Sequence, residues 1–233
     1  MLHNTRDRSY AVPRIHFHQQ LADLKDRLLA MAALAQQAVE SAVDAYCNFD
    51  DGLCQYVREN ETAINLAQRE VDEMAYDLLA KEQPMAVDLR FILAVIKING
   101  DLERIGDQAM GIARRTRELL ETDRPELPVD IAQMGEQACR MIRTSVLALL
   151  DGDAQVADTV LTMDDEIDDL NRDAQRTLLG KIQESPECAE HALLAIMVSR
   201  SLERIADHAT NIATDVIFWI RGADLRHQLS MAE

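Results

Sequence analysis

The stretch LERIGDQAMGIA, residues 102–113, returns almost unchanged as LERIADHATNIA, residues 202–213, with eight of twelve positions identical. Two further landmarks repeat in the same order. Asp51-Gly52 comes back as Asp151-Gly152, and Pro84 as Pro186. One short match arises by chance; three landmarks of different kinds at nearly the same offset indicate a duplicated unit.

The tracts between these landmarks follow a helical period. Leu21, Leu24, Leu28, Met31, Ala35, Ala38 and Ala42 step by three and four, which makes one apolar seam on a helix. A turn centred on Asp51-Gly52 ends that helix. A second helix is expected from about Leu53 to Lys81, stopping before Pro84, and a third from near Met85 to about Glu121. TDRPELP, with two prolines in four residues, is the candidate boundary. Beyond it a fourth helix is expected from about Val129 to Leu150. A fifth carries Val156, Val160, Met163, Ile167, Leu170, Ala174 and Leu178. A turn at ESPE and a sixth helix to about Arg221 complete the pattern. The expected fold is all-α: six long helices in two tandem antiparallel three-helix bundles, produced by internal duplication. The expected divisions are a polar arm at 1–15, the first bundle at 16–122, the second at 129–222 and a tail at 223–233.

Composition agrees and narrows the function. Hydrophobic residues make up 48% of the chain but aromatics only 4%, so Ala, Leu, Ile, Val and Met must fill the core, as suits close helix packing. A formal charge of -17 argues against binding nucleic acid or an anionic membrane face. It favours cations or basic protein surfaces. No apolar run reaches the roughly 20 residues of a membrane-spanning helix, and the N-terminus lacks the apolar stretch of a signal peptide. Direct membrane insertion is therefore not expected, and the cytoplasm is the expected compartment. The four cysteines, Cys47, Cys54, Cys139 and Cys188, have no CxxC spacing and read as reduced thiols of the core or its flanks.

The repeated stretch carries carboxylates four residues apart, Glu103 with Asp107 and Glu203 with Asp207, which places each pair on one helix face. Unpaired, such like charges cost a helix roughly 0.2–0.5 kcal/mol; a cation between them reverses the sign. Antiparallel helices bring residues equidistant from a turn to the same level. Counting from Ser185, Asp168 comes level with Glu203 and Asp164 with Asp207. Counting from Pro84, Asn65 comes level with Glu103 and Glu61 with Asp107. Each bundle is thus expected to hold four oxygen-bearing side chains: three carboxylates in the first, four in the second. On a wheel of roughly 100° per residue, Glu203 and Asp207 lie far from the stripe of Leu202, Ile205, Ala209, Ile212 and Val216. The clusters therefore belong in an outer groove between two helices. Such oxygen sets suit hard divalent cations, whereas isolated acids of this kind are usually solvated surface. Carboxylate-bridged di-iron enzymes are a poorer fit, because their ligands point inward and include Glu-x-x-His, which is absent here. His208, adjacent to Asp207, reads either as a nitrogen ligand of the second cluster or as a surface histidine.

The segments KEQPMAVDLRFILAVIKINGDLERIGDQA and ALLAIMVSRSLERIADHATNIA resemble the two signature regions of the PhoU family of phosphate-uptake regulators. The resemblance runs from the first helix to about Arg226. It implies two tandem three-helix bundles and metal ions on their surfaces, held by Glu103, Asp107, Glu203 and Asp207; Asp164 and Asp168 join this set through the register argument alone. Divalent Mg, Mn, Fe or Zn is the implied cofactor. The implied function is non-catalytic: negative regulation of phosphate uptake and of the phosphate-starvation response, between a phosphate ABC transporter ATPase and a sensor histidine kinase. A homodimer is also implied, as is attachment at the inner membrane through protein partners. The alternatives are a carboxylate-bridged metalloenzyme and a metal-free helical adaptor. Ala206 departs from the glycine at Gly106, and Asn65 leaves the first cluster one acid short. Asp88-Leu89-Arg90 also matches the family pattern. It reads as a partner contact or helix anchor, or else as an acid at a helix start beside a surface arginine. Arg114, Arg115 and Arg117 read as a contact for an acidic partner or phosphate, or as a solvated face.

Overall fold

The computed structural model describes residues 11–120 and 127–222, with side chains from residue 15 onward. The expected N-terminal arm up to residue 10, most of the boundary segment at 121–126 and the tail at 223–233 lie outside the described residues. The described residues form seven α-helices: α1 (Ala11–Asn48), α2 (Asp51–Glu82), α3 (Val87–Leu119), α4 (Ile131–Asp151), α5 (Ala154–Leu161), α6 (Asp164–Glu184) and α7 (Ala189–Arg221), with a short 3₁₀ turn at Pro186–Cys188. Helices α1, α2 and α3 pack as one bundle; α4, α5, α6 and α7 form the other. There is no strand among the described residues. The all-α duplicated architecture stands as expected.

Aspartates start three of these helices. Asp50 accepts from Leu53 N at 3.1 Å, Asp130 from Gln133 N at 2.9 Å, and Asp153 from Gln155 N at 2.7 Å and Val156 N at 3.3 Å. Each satisfies amides that a first helical turn leaves unpaired. Gly152 and Gly222, with φ of 63° and 70°, close α4 and α7 in the left-handed region. The two Asp-Gly landmarks differ in use. Gly152 forms the turn, but Asp51-Gly52 is already helical. The positive φ of the first turn sits on Phe49, because Asp50 takes the cap.

The expected fifth helix is interrupted at Thr162-Met163, giving α5 and α6. The buried stripe of α2 includes Val57, Asn60, Ile64, Val71 and Ala75; its counterparts are Ala157 and Val160 on α5, then Ile167, Ala174 and Leu178 on α6. The copies differ by 100 positions up to Val160, by 103 along α6 from Ile167 to Leu178, and by 100 again on α3 and α7. Three extra residues at the break rotate α6 back into register. Cross-helix bonds agree: Asn99 donates to Gln68 O at 2.9 Å, and Ser199 donates to Asn171 Oδ1 at 3.0 Å. By this offset Asp164 is the counterpart of Glu61, and Asp168 of Asn65.

The bundles share one continuous apolar core, reaching from Leu24 to Ile217. Two contacts fuse them. On one side α1 meets α4, where Gly135 leaves no room for a Cβ: one built there would lie 2.6 Å from Val43 Cγ1. On the other, α3 and α7 run antiparallel, the two LERI helices side by side. Phe91 meets Trp219 with ring centroids 4.9 Å apart, and Lys97 pairs with the buried Asp215 at 3.2 Å. Equivalent helices meeting antiparallel relate the bundles by an approximate two-fold. Arg90 explains the Asp-Leu-Arg stretch. Its Nε donates to Trp219 O at 3.1 Å, so α3 caps the last turn of α7.

Candidate metal-binding carboxylate clusters

In the second bundle Asp164 and Asp168 come from the start of α6, and Glu203 and Asp207 from the middle of α7. All four come close enough to act on one another. Burial is the largest influence on Asp207, followed by the charges of Glu203, Asp164 and Asp168; together they push its carboxyl from 3.8 to about 6. Glu203 is raised by burial, then by Asp168, while Arg204 and Arg200 offset part of the effect. Asp164 is raised by burial and then by Asp168, against a hydrogen bond from Thr210 Oγ1 to its Oδ1 at 3.2 Å. The four residues that antiparallel register brings level therefore stand together. They are half-buried to exposed, in an outer groove of α6 and α7.

The break before α6 has an electrostatic consequence. It starts a new helix at Asp164, so Asp164, Asp165 and Glu166 occupy a first turn, where the helix dipole favours negative charge. The continuous α2 offers Glu61 and Asn65 no such terminus.

In the first bundle burial raises Glu103, and Asp107 and, more weakly, Glu61 add to it; Arg104 and His208 pull the other way. His208 is the residue whose place the sequence mistook. It lies on α7, but its Nδ1 is 2.8 Å from Asp101 Oδ1 on α3, and its side chain is only 21% exposed. Asn211 Nδ2 also reaches Asp101, at 3.4 Å. His208 is thus neither a surface residue nor confined to the second cluster. It sits in the seam, acting on Glu103 and on Asp207. Adjacent helical residues diverge by roughly 100°, and that turn carries His208 from the α6 side to the α3 side. Asp101, Asn211 and Thr210 were not read as site residues; the first two meet only because α3 and α7 fuse the bundles, and Thr210 bonds Asp164 across α6 and α7.

The donor set fits a hard divalent cation: carboxylate oxygens almost exclusively, with one amide in the first cluster. In both clusters burial and like charges oppose ionisation of the carboxyls. As the side chains stand, no three His, Cys, Asp or Glu among the described residues are drawn tightly enough around one point to hold an ion.

The PhoU domain matches the chain twice, at residues 28–116 and 131–216, once per bundle. The phosphate-specific transport system accessory protein PhoU homolog of Pseudomonas aeruginosa is 40% identical over 212 residues, covering 91% of this chain and 88% of that protein. Homolog 1 of Thermotoga maritima is 29% identical over 95% and 96% of the two chains. The crystal structure of PhoU from Pseudomonas aeruginosa superposes with a TM-score of 0.86 at 39% identity, covering 89% of this chain and all of that one. The phosphate transport system regulatory protein PhoU of Streptococcus pneumoniae superposes with a TM-score of 0.83 at 25% identity, over 89% and 98%.

Proposed function

The chain belongs to the PhoU family, and from that premise we propose that it is a negative regulator of phosphate uptake and of the phosphate-starvation response. In this reading it is a non-catalytic, metal-binding scaffold between a phosphate ABC transporter ATPase and a sensor histidine kinase. The observation that carries the proposal is the double match of the domain, with a carboxylate cluster at the equivalent place in each copy. The relatives are named as accessory or regulatory proteins of phosphate transport. We further propose that the protein works as a homodimer in the cytoplasm and reaches the inner membrane through its partners. Among the described residues no helix is long and apolar enough to cross a membrane.

Glu103 and Asp107 with Glu61 and Asn65 would hold a cation in the first bundle; Asp164, Asp168, Glu203 and Asp207 would hold one in the second. A bound divalent ion supplies positive charge, and Mg, Mn or Fe suits these oxygens better than Zn. The residues themselves link the clusters to the seam. Asp207 is followed directly by His208, which pairs with Asp101, and Asp101 lies two residues before Glu103. A change of charge at either cluster thus acts on the contact that joins the bundles.

Deleting the gene in a strain with a phosphate-starvation promoter fused to a reporter tests the proposal. Expression in phosphate-rich medium is expected to rise and to be silenced again by the wild-type gene. A reporter that stays repressed in the deletion strain refutes the regulatory reading.

A further inference from the structure

The same seam carries a feature of opposite sign. Gly111 on α3 has no side chain, and the guanidinium of Arg115, one turn further on, lies back over it. A Cβ at Gly111 would stand 2.9 Å from Arg115 Nη1 and 4.0 Å from Ser201 Oγ on α7. The glycine is therefore a seat for the arginine head, pressed between the two bundles. Arg115 Nε is buried there and meets no hydrogen-bond acceptor. Burial, Arg114 and Arg204 all weaken its hold on its proton, with Glu118 the one charge opposing them. Arg200 and Arg204, one turn apart on α7, stand close enough to act on Glu203. Other arginines of these helices are paired: Arg104 with Glu103 at 3.7 Å, Arg117 with Asp51 at 2.7 Å, and Arg221 with Asp158. Among the described residues, the side chains of Arg114, Arg115, Arg200 and Arg204 make no ion pair.

Unpaired guanidiniums gathered this way, with Arg114 and Arg204 near enough to act on Arg115, are unusual for a chain of net charge -17. Arginine is the side chain whose planar fork matches the oxygens of phosphate or carboxylate two at a time. The approximate two-fold sharpens the contrast. The position equivalent to Gly111 is Asn211 and that equivalent to Ser201 is Asp101, so the mate of this place is the filled, hydrogen-bonded Asp101–His208–Asn211 group. One end of the seam satisfies its own polar groups; the other leaves donors open. We propose that Arg115, with Arg114 and Arg204 near it, forms an oxyanion site for a phosphate group across the α3–α7 seam. Glu118 and Glu203 border the site and favour an occupant that engages the arginine forks directly over diffuse anion attraction. The phosphate group can belong to inorganic phosphate or to a phosphomonoester, and the proposal concerns the chemistry both share.

The test is calorimetric titration of the full chain, in EDTA so that the carboxylate clusters hold no metal, with inorganic phosphate in one arm and O-phosphoserine in the other. Chloride holds the ionic strength constant throughout. At least one ligand is expected to bind saturably. Arg115→Gln and Arg204→Gln should each weaken it by about fivefold or more, as loss of a charge-assisted bond implies. The stronger arm identifies the source of the phosphate group. Arg204 is exposed, so its variant keeps the test decisive even if Arg115→Gln folds poorly. Absence of saturable binding in both arms, or an affinity that Arg204→Gln leaves unchanged, overturns the proposal. Either result leaves the metal reading untouched, because no metal is present.

Discussion

Replacing Asp207 with asparagine keeps its shape and removes its charge, and the structure predicts that the metal-free protein becomes more stable. The native fold holds the Asp207 proton up to about pH 6, because burial and three neighbouring carboxylates oppose the charged form. An unfolded chain releases it near 3.9. Folding therefore binds protons in that interval, and the stability of the metal-free chain falls as pH rises from about 4 through 6 and stays lower above. The full displacement corresponds to about 3 kcal/mol. Asp207 faces solvent, so screening reduces this to about 1 kcal/mol, or about 2–4 °C in melting temperature for a chain of this size. Thermal unfolding followed by helical circular dichroism, in EDTA at pH 8, should show Asp207→Asn melting higher by that amount, with the gain vanishing near pH 4. Added Mn²⁺ should raise the wild type and leave the variant behind. A variant that melts lower in EDTA at pH 8, or one whose advantage ignores pH, refutes the reasoning.

Further outcomes follow from named contacts. Arg90→Ala removes the donor to Trp219 O and should cost about 1 kcal/mol, with faster amide exchange in the last turn of α7; an unchanged exchange pattern contradicts the capping role. Gly135→Ala places a methyl 2.6 Å from Val43 Cγ1 and should cost about 1–3 kcal/mol in urea unfolding. Gly106→Ala comes nearest to the flexible Cδ1 of Ile64, at 3.0 Å, with Cγ2 at 3.4 Å, and should cost less, as Ala206 at the equivalent position suggests; the reverse order would show the helix contacts misplaced. Ala86 stands at φ 51°, ψ -116°, a conformation costly for any residue with a Cβ. Ala86→Gly should raise the melting temperature by about 2–4 °C for each 1 kcal/mol of strain released, and a fall would remove the strain from the account.

The duplication and the carboxylate register were legible because both rest on local periodicity. A helix writes its buried stripe every three or four residues, and an equidistant count from a turn pairs two antiparallel helices. The break at Thr162-Met163 was not legible. Val160, Met163 and Ile167 keep the steps of three and four, so the pattern reads straight through three extra residues. Only the stripe of the first copy, aligned beside it, exposes the jump from 100 to 103. The pairing of His208 with Asp101 was missed for a different reason. Their meeting depends on which helices of the two bundles pack together, and the sequence marks apolar faces without naming their partners. Arg90 was noticed but left ambiguous, since its acceptor lies 129 residues away.

The most direct test of the central claim is a Mn²⁺ titration followed by electron paramagnetic resonance, comparing the wild type with a chain carrying Asp164→Asn, Asp168→Asn, Glu203→Gln and Asp207→Asn. The wild type is expected to quench the free-ion signal saturably, and the substituted second cluster to lose its share of that binding. Equal quenching by both proteins, or none by the wild type, would contradict the account.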